Sequence, residues 1–219
     1  MKRPRICAVI TDPDIKAVKD LEPQVDLFEM RIDIIGERWL DIARELKKPW
    51  IACNRLIDEG GQWRDSEARR IEKLLQAIEM GASIIDVELR TKNLENIIST
   101  IKKRAGCLVS THNLEITLSL EELEALVTKQ INAGADICKV VTKANNIEDN
   151  WTIMQLVSKP RSVPLVSFAM GPLGVLSRVL TPLTNGYFIY ASVKKGAESA
   201  PGQIAVSDLT KLYELMEIP

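Results

Sequence analysis

Short apolar runs alternate with longer amphipathic runs along the whole chain. The apolar runs have six to eight residues, and several are rich in Val and Ile, which is typical of strands covered on both faces. The amphipathic runs have the three-to-four-residue apolar spacing of helices. The predicted strands are residues 6–11, 26–33, 49–55, 83–89, 107–113, 136–142, 164–170 and 187–193. The pattern therefore predicts eight strands that alternate with eight helices.

Start and stop signals mark several of the predicted helices. Residues 65–81 and 119–134 each begin with a capping residue and an acidic first turn, and each ends at a glycine. In the second of these helices the capping residue is Ser119, which opens a capping-box pattern. Residues 91–106 are predicted to begin a helix at Thr91 and to end it with a basic turn, which suits the helix dipole.

An alternation of strands and helices predicts a parallel sheet with helices outside it. Eight such units favour an α/β fold of the (β/α)8 TIM barrel type, as one compact domain over residues 1–219 without an N-terminal hairpin. The alternative is a doubly wound open sheet, which normally has fewer strands and a glycine-rich first turn. Here the first turn is Thr-Asp-Pro-Asp, residues 11–14, and no change in composition divides the chain.

The composition and charge of the chain argue against a nucleic-acid or membrane partner. The chain has 29 basic and 30 acidic residues and a formal net charge of -1, whereas nucleic-acid-binding proteins carry a basic excess or patch. No apolar run approaches the roughly 18 residues of a membrane-spanning helix, and the first run is too short for a signal peptide. We expect a cytoplasmic protein with no nucleic-acid or membrane partner. The predicted reduced core thiols are Cys7, Cys53, Cys107 and Cys138.

Ionisable residues share the inward-facing parity near the carboxyl ends of five neighbouring strands. They are Glu29, Arg31 and Asp33, then Arg55, then Asp86 and Glu88, then His112 with Ser110, and finally Lys139. Active sites of (β/α)8 barrels lie at this end, so we expect these side chains to meet. Taken singly, each has a structural interpretation. Lys139 could be an ion-paired lysine with Asp86 or Glu88 as its partner, and His112 a hydrogen-bonded core histidine.

Lys139 is the most informative of these residues, because it interrupts the apolar run of its strand. Burial and neighbouring cations, here Arg31 and Arg55, would lower the pKa of a lysine and make it a nucleophile toward ketones. The resulting Schiff base acidifies the adjacent C–H, and His112 is suited to remove that proton. The pattern predicts an aldolase or a dehydratase that acts on a small anionic substrate held by arginines. The chain has one histidine, and arginines lie among its carboxylates, so we expect neither a metal site nor a cofactor.

Seven motifs in order along the chain resemble those of the type I 3-dehydroquinate dehydratase family. They are EMRID (29–33), NRLIDEGG (54–61), DVEL (86–89), STHN (110–113), GADICKV (134–140), MGPLGVLSR (170–178) and SAPGQI (199–204). The resemblance runs through most of the chain. It implies syn loss of water from 3-dehydroquinate to give 3-dehydroshikimate, a step toward aromatic amino acids, without a cofactor. A homodimer is a further expectation.

The resemblance also implies a role for individual residues. Lys139 would attack the C3 ketone, His112 would remove the C2 proton and protonate the departing C1 hydroxyl, and Glu59 would orient His112. The implied substrate contacts are Glu29, Arg31, Arg55, Arg178, Ser199 and Gln203, with supporting positions at Asp86, Glu88 and Met170. Asn113, Leu114 and Pro172 and the VTKA run (141–144) differ from the family pattern, so we expect differences in the pocket walls.

Two alternative functions remain open at this point. A class I aldolase or transaldolase on the same fold would usually bind phosphate near strands 7 and 8. The glycines of residues 168–174 resemble such a site, but Arg178 and the SAPGQ run suit a carboxylate better. The other alternative is a non-catalytic barrel that binds the same metabolite. Loss of Lys139 or His112 would indicate it, and both residues are present.

Overall fold

The computed structural model describes residues 3–218, in which eight strands alternate with nine α-helices. The strands are β1 (Ile6–Ile10), β2 (Leu27–Arg31), β3 (Trp50–Cys53), β4 (Ile84–Glu88), β5 (Gly106–His112), β6 (Ile137–Lys143), β7 (Leu165–Met170) and β8 (Ile189–Ser192). The helices are α1 (Ile15–Leu21), α2 (Ile32–Ile35), α3 (Trp39–Glu45), α4 (Glu67–Glu79), α5 (Leu94–Ile101), α6 (Leu120–Asn132), α7 (Asp149–Ser158), α8 (Val175–Thr184) and α9 (Val206–Leu215). All eight predicted strands are present, each either one to three residues shorter than predicted or of the same length.

The strands form one parallel sheet that wraps around in chain order. Its order is β7-β6-β5-β4-β3-β2-β1-β8, so β1 pairs with both β2 and β8. The circle is completed by a hydrogen bond from the backbone N–H of Tyr187 to the carbonyl of Leu165, at 2.9 Å. The predicted (β/α)8 barrel is confirmed, and the doubly wound alternative is wrong because the strand order never reverses. Within residues 3–218 every strand pair is parallel, and β1 begins at Ile6.

Alternation along each strand divides the buried side chains into two layers. Phe28 and Met30 of β2 belong to the layer between the sheet and the helices, whereas Glu29 and Arg31 face the barrel interior and line its cavity. The parity predicted for this strand is therefore confirmed as far as Arg31, whereas Asp33 lies in α2, where it pairs with Arg31. The apolar part of the barrel interior, some of which lines the cavity, is made by Cys7, Val9, Leu27, Ile51, Leu108, Ile137, Val141, Val166, Phe168, Met170, Phe188 and Tyr190.

The capping signals are confirmed for two helices. Ser66 caps α4 by accepting a hydrogen bond from the backbone N–H of Arg69. Ser119 caps α6, and its capping box with Glu122 is complete in both directions. Each predicted helix extended a little too far, because the capping residues and the closing glycines lie outside the helices themselves.

The predicted start of the helix at Thr91 is wrong. Helix α5 begins at Leu94, after Asn93 in the left-handed conformation with φ of 56°, and it ends at Ile101 before the basic residues. The reason is a competing contact, since the Thr91 hydroxyl accepts a hydrogen bond from Arg70 at 3.0 Å instead of capping a helix. The ninth helix arises because Gly36, with φ of 64°, interrupts the helical segment after β2.

The helices outside the sheet are short. None of those in residues 3–218 combines the length and the apolar character that a membrane-spanning helix needs. All four cysteines are free and buried.

Candidate active site

One cavity of about 370 Å³ opens at the carboxyl ends of the strands. This is the end at which barrel enzymes place their catalytic residues. The sequence-predicted residues that line it are Glu29, Arg31, Arg55, Glu59, His112, Lys139, Met170, Arg178, Ser199 and Gln203. Asp86 and Glu88 are buried behind its wall, on β4. The predicted site residues are thus brought together at one place.

Lys139 is buried in the middle of β6 and its ammonium is ion-paired. Its Nζ lies 2.9 Å from Oδ2 of Asp86 and 3.2 Å from Oε1 of Glu29. Burial lowers the pKa of Lys139, but Asp86 and Glu29 raise it by more, so the pKa lies above its ordinary value. Arg55 does lower this pKa, but the expectation of a net lowering is wrong. Two carboxylates from β4 and β2 outweigh Arg55, so the lysine is charged before substrate arrives.

Asp86 connects the lysine to Arg55. Its Oδ2 accepts hydrogen bonds from Arg55 at 2.6 Å and from Lys139 at 2.9 Å, and its Oδ1 accepts one from the Ser110 hydroxyl at 2.6 Å. Burial raises the pKa of Asp86, yet Arg55 and Lys139 lower it by more, and the pKa stays well below its usual range. The carboxylate is therefore a fixed negative charge that holds two cations in place.

Glu88 continues this network away from the cavity. It forms an ion pair with Arg55 at 2.9 Å and accepts a hydrogen bond from Arg70 at 2.5 Å. Arg70 is fully buried on the inner face of α4, in one apolar stripe with Leu74 and Ala77. Reasoning from the sequence missed Arg70. The signal was an arginine at a position where the helical spacing requires an apolar residue.

His112 ends β5 and is held by Glu59. Its Nδ1 lies 2.9 Å from Oε2 of Glu59, and the same oxygen accepts the backbone N–H of His112 at 3.0 Å. Burial, then the charges of Arg55 and Lys139, keep the pKa of His112 well below its ordinary value, so the ring is neutral. Burial raises the pKa of Glu59 to about 7. Because Nδ1 is engaged, Nε2 is the nitrogen that a substrate can use.

Two glycines after Glu59 allow this arrangement. Gly60 has φ of 81°, a left-handed conformation that ends the short turn carrying Glu59. A Cβ atom on Gly61 would lie 1.9 Å from the carbonyl oxygen of Arg55. The chain therefore folds back against Arg55 only with glycine there, and this close approach fixes Glu59 beside His112.

The three arginines that line the cavity differ in whether a carboxylate is paired with them. Arg31 forms two hydrogen bonds with Asp33, at 2.9 and 2.7 Å, and Arg55 is paired with Asp86 and Glu88. Arg178, on α8, has no carboxylate within 4.0 Å among residues 3–218. It stacks on the Phe168 ring at 4.2 Å. Its charge is therefore available to an anion.

The loop between β8 and α9 closes over Arg178. Nη2 of Arg178 donates to the carbonyl of Pro201 at 3.3 Å, and the backbone N–H of Gly171 donates to the same carbonyl at 3.0 Å. Ser199 donates from its backbone N–H and its hydroxyl to Oε1 of Gln203, at 2.7 and 3.1 Å. Because Oε1 is used in this way, the amide N–H groups of Gln203 are left for a ligand.

Comparison with known proteins identifies the family. The model of the type I 3-dehydroquinase family matches residues 6–219. The chain belongs to the type I 3-dehydroquinase family. The resemblance predicted from the seven motifs is thereby confirmed, and the class I aldolase alternative is set aside.

Individual 3-dehydroquinate dehydratases align with this chain over nearly their whole length. A 3-dehydroquinate dehydratase from Dehalococcoides mccartyi is 39% identical over 214 residues, which cover 97% of this chain and 96% of the relative. One from Methanocaldococcus jannaschii is 33% identical over an alignment that covers 97% of this chain and 99% of the relative. The crystal structure of 3-dehydroquinate dehydratase from Geobacillus kaustophilus superimposes with a TM-score of 0.86 at 25% identity, covering 99% of this chain and 96% of that one.

The departures from the 3-dehydroquinase pattern reach the cavity at Leu114 and, in the VTKA run, at Val141 and Lys143. Leu114 lines the cavity, and its side chain lies close to Gly60. Oδ1 of Asn113 accepts the backbone N–H groups of Glu115 and Ile116, so this side chain caps a turn. Pro172 is exposed at the start of the short turn before α8. Of Leu114, Asn113 and Pro172, the first changes the pocket wall.

One group of buried side chains in residues 3–218 has the spacing of a metal site. Ligand atoms of Glu29, Cys53 and Asp86 lie within 4.8 Å of one another. Lys139 already donates to both carboxylates, and Arg55 donates to Asp86 and to Sγ of Cys53. Burial also raises the pKa of the Cys53 thiol. In this 3-dehydroquinase the cluster is a binding site for the lysine ammonium, and a metal ion would have to displace two cations.

Proposed function

We propose that this chain dehydrates 3-dehydroquinate to 3-dehydroshikimate through a Schiff base on Lys139, as a hydro-lyase. The observation that carries the proposal is the grouping of three side chains in one cavity. A lysine held by two carboxylates, a neutral histidine and a buried arginine without a carboxylate partner in residues 3–218 all line it. Membership of the type I 3-dehydroquinase family supports the same reaction.

The reaction begins at Lys139. Once the ammonium has lost a proton, Nζ adds to the C3 ketone carbon, and the ketone oxygen leaves as water. The nitrogen of the resulting iminium carries one positive charge, which draws electrons from the adjacent C2–H bond. Asp86 and Glu29, which lie within 3.2 Å of the nitrogen in the free enzyme, would balance this charge.

His112 carries the protons in the remaining steps. Its neutral Nε2 takes the C2 proton, and the electron pair of the C–H bond moves toward the nitrogen to give an enamine. The electrons then return, the C1–O bond breaks, and the hydroxyl leaves as water with the proton from His112. Hydrolysis of the product iminium regenerates Lys139. Glu59 stabilises the imidazolium formed between these steps, from 2.9 Å away at Nδ1.

The remaining residues hold the substrate. Arg178, with Gln203 and Ser199, binds the C1 carboxylate by charge-assisted hydrogen bonds. Glu29, Arg31 and Arg55 contact the ring hydroxyls, and Met170 forms part of the apolar wall. Glu88 supports Arg55 from behind the cavity, as Asp86 supports both Arg55 and Lys139.

We infer further that residues 1–219 act as one catalytic domain and that the enzyme works in the cytoplasm, without a cofactor or a nucleic-acid partner. A homodimer remains a prediction that gel filtration with light scattering would test.

A direct assay tests the proposed function. Dehydration places a C=C bond in conjugation with the carboxylate and the ketone, so the product absorbs in the ultraviolet. We expect purified protein to convert 3-dehydroquinate at an ordinary enzymatic rate, on the order of 1–10³ s⁻¹. If substrate binds with no change in absorbance, the non-catalytic barrel alternative is correct instead.

The Glu59–His112 pair predicts an acidic limb in the pH profile. Ionised Glu59 accepts Nδ1–H and leaves Nε2 free as a base, whereas protonated Glu59 donates to Nδ1 and moves the ring proton to Nε2. Because the pKa of Glu59 is about 7, kcat/KM should fall as the pH drops through about 7. In Glu59→Gln the midpoint should move below the ordinary pKa of histidine, about 6.5, and the plateau should be lower. An acidic limb near 7 that survives this substitution would exclude Glu59 as its source.

A further inference from the structure

Tyr190 places the face of its ring against the reactive nitrogen. It lies on β8, on the inner side of the barrel, and Nζ of Lys139 is 4.3 Å from the centre of its ring. The distance is within the range of a cation–π interaction, in which the negative ring face attracts a cation. Neither the motifs nor the resemblance pointed to Tyr190, because its strand looks like an ordinary apolar strand.

Two other aromatic rings fix the orientation of this ring. Phe188 packs edge-on against it at 5.1 Å and 82°, and Phe168 does so at 6.1 Å and 68°. Tyr190 is 3% exposed, and burial raises the pKa of its phenol well above the ordinary value. The phenol is therefore neutral, and what it offers the lysine is the π face of the ring.

The charged and titratable groups that face Lys139 come from five other strands or the loops that follow them. They are Asp86 of β4, Glu29 of β2, Cys53 of β3 with Arg55 after it, His112 of β5 and Cys7 of β1. Asp86 is shared with Arg55, which lies 2.6 Å from the same oxygen that accepts from the lysine. The carboxylate charge available to Lys139 is thus partly used by another cation, and the ring is an additional source of stabilisation.

We propose that the ring face of Tyr190 stabilises the positive charge on the Lys139 nitrogen, first as the ammonium and then as the iminium formed with the substrate, and that Tyr190 is a catalytic residue. This inference rests on the proposed function. The nitrogen alternates between cationic forms, the ammonium and the iminium, and neutral forms, the amine and the enamine. A ring face attracts the cationic forms selectively.

The iminium gains most from this contact. Burial favours the neutral imine over the iminium, and the neutral imine withdraws electrons poorly from the C2–H bond. The ring opposes that loss, so the nitrogen stays cationic when His112 takes the C2 proton. No atom of Tyr190 is consumed, and the proton balance of the reaction is unchanged.

Progressive fluorination of the ring tests the inference. Phenylalanine, 4-fluoro-, 3,5-difluoro- and 3,4,5-trifluorophenylalanine are placed at position 190, since each fluorine withdraws electrons from the ring face with little change in size. For each variant, the fraction of enzyme trapped by cyanoborohydride with saturating 3-dehydroquinate is measured by intact mass as the pH is raised. We expect the midpoint at which trapping declines to fall with each fluorine, by about one pH unit, or tenfold in proton affinity, over the series.

The same substitutions at Tyr187 provide the matched control. A cation also lies over the ring face of Tyr187, since Cζ of Arg5 is 4.5 Å from the ring centre, but Tyr187 precedes β8. Its fluorination should leave the midpoint unchanged. Equal midpoints across the position-190 series, with normal trapping, would overturn the role of Tyr190 while the Schiff-base reaction stands. No trapping in the unsubstituted enzyme would overturn the proposed function itself. Thermal melts of each sample verify that the series compares folded proteins.

Discussion

Replacing His112 by alanine is expected to lower kcat by about 10²- to 10⁴-fold while the imine on Lys139 still forms slowly. The two steps separate because Nζ of Lys139 performs the attack on the ketone, whereas C2 deprotonation needs the Nε2 base. Steady-state kinetics gives the loss in kcat, and borohydride trapping shows the retained imine. The matched control is Asn113→Ala, because the Asn113 side chain caps a turn and lies outside the cavity lining.

Near-normal turnover of His112→Ala would assign the base to another residue. Glu88 shares the inward-facing parity of the site residues, but it lies behind the cavity and is paired with Arg55 and Arg70. Glu59, which lines the cavity and has a pKa of about 7, would be the residue to test instead.

Replacing Arg70 by methionine is expected to lower the free energy of unfolding by about 3 kcal/mol, the lower end of the range for breaking a buried ion pair. The side chain of Arg70 is fully buried and donates to Glu88, to the Thr91 hydroxyl and to the carbonyl of Asn54. Methionine fills much of the volume but leaves these acceptors without a donor. The loss stays near the lower end because Arg55 still pairs with Glu88. Urea unfolding followed by circular dichroism measures it.

The adjacent residue provides the control for Arg70. Arg69 is on the same helix, but its side chain is 70% exposed and pairs with Asp65 at the surface. Arg69→Met should therefore unfold at nearly the same urea concentration as the unsubstituted protein. Equal midpoints for the two variants would show that the buried pair of Arg70 and Glu88 contributes nothing net to stability.

Several site residues were predictable because strand geometry is regular. Alternation along a strand places Glu29 and Arg31 on one face, and all carboxyl ends of a parallel barrel open at the same side. Lys139 and His112 follow from the same two rules. These rules need no knowledge of distances, which is why the sequence suffices for them.

The charge state of Lys139 was not predictable in the same way. It depends on whether Asp86 and Glu29 or the arginines come closest, and these residues are far apart in the sequence. The structure places both carboxylates within 3.2 Å of the ammonium and engages Arg55 with Asp86 and Glu88. Parity gives the direction in which a side chain points, whereas the pKa depends on differences of about 1 Å between competing charges.

The predictions of helix boundaries and of supporting residues failed for a related reason. Thr91 is a good capping residue by its chemistry, but a tertiary contact with Arg70 uses its hydroxyl. The pairing of Arg70 with Glu88 and the contact of Tyr190 with Lys139 likewise join elements that the sequence separates. Local patterns predict elements, and contacts between distant elements decide how those residues are used.

Trapping the covalent intermediate on Lys139 tests the central claim most directly. The enzyme is incubated with 3-dehydroquinate and sodium borohydride, and the product is analysed by intact mass and by peptide mapping. We predict one reduced adduct per chain, on Lys139, and loss of activity in proportion to labelling. An adduct on Lys143 instead, or turnover that continues without any trapped adduct, would contradict the Schiff-base account.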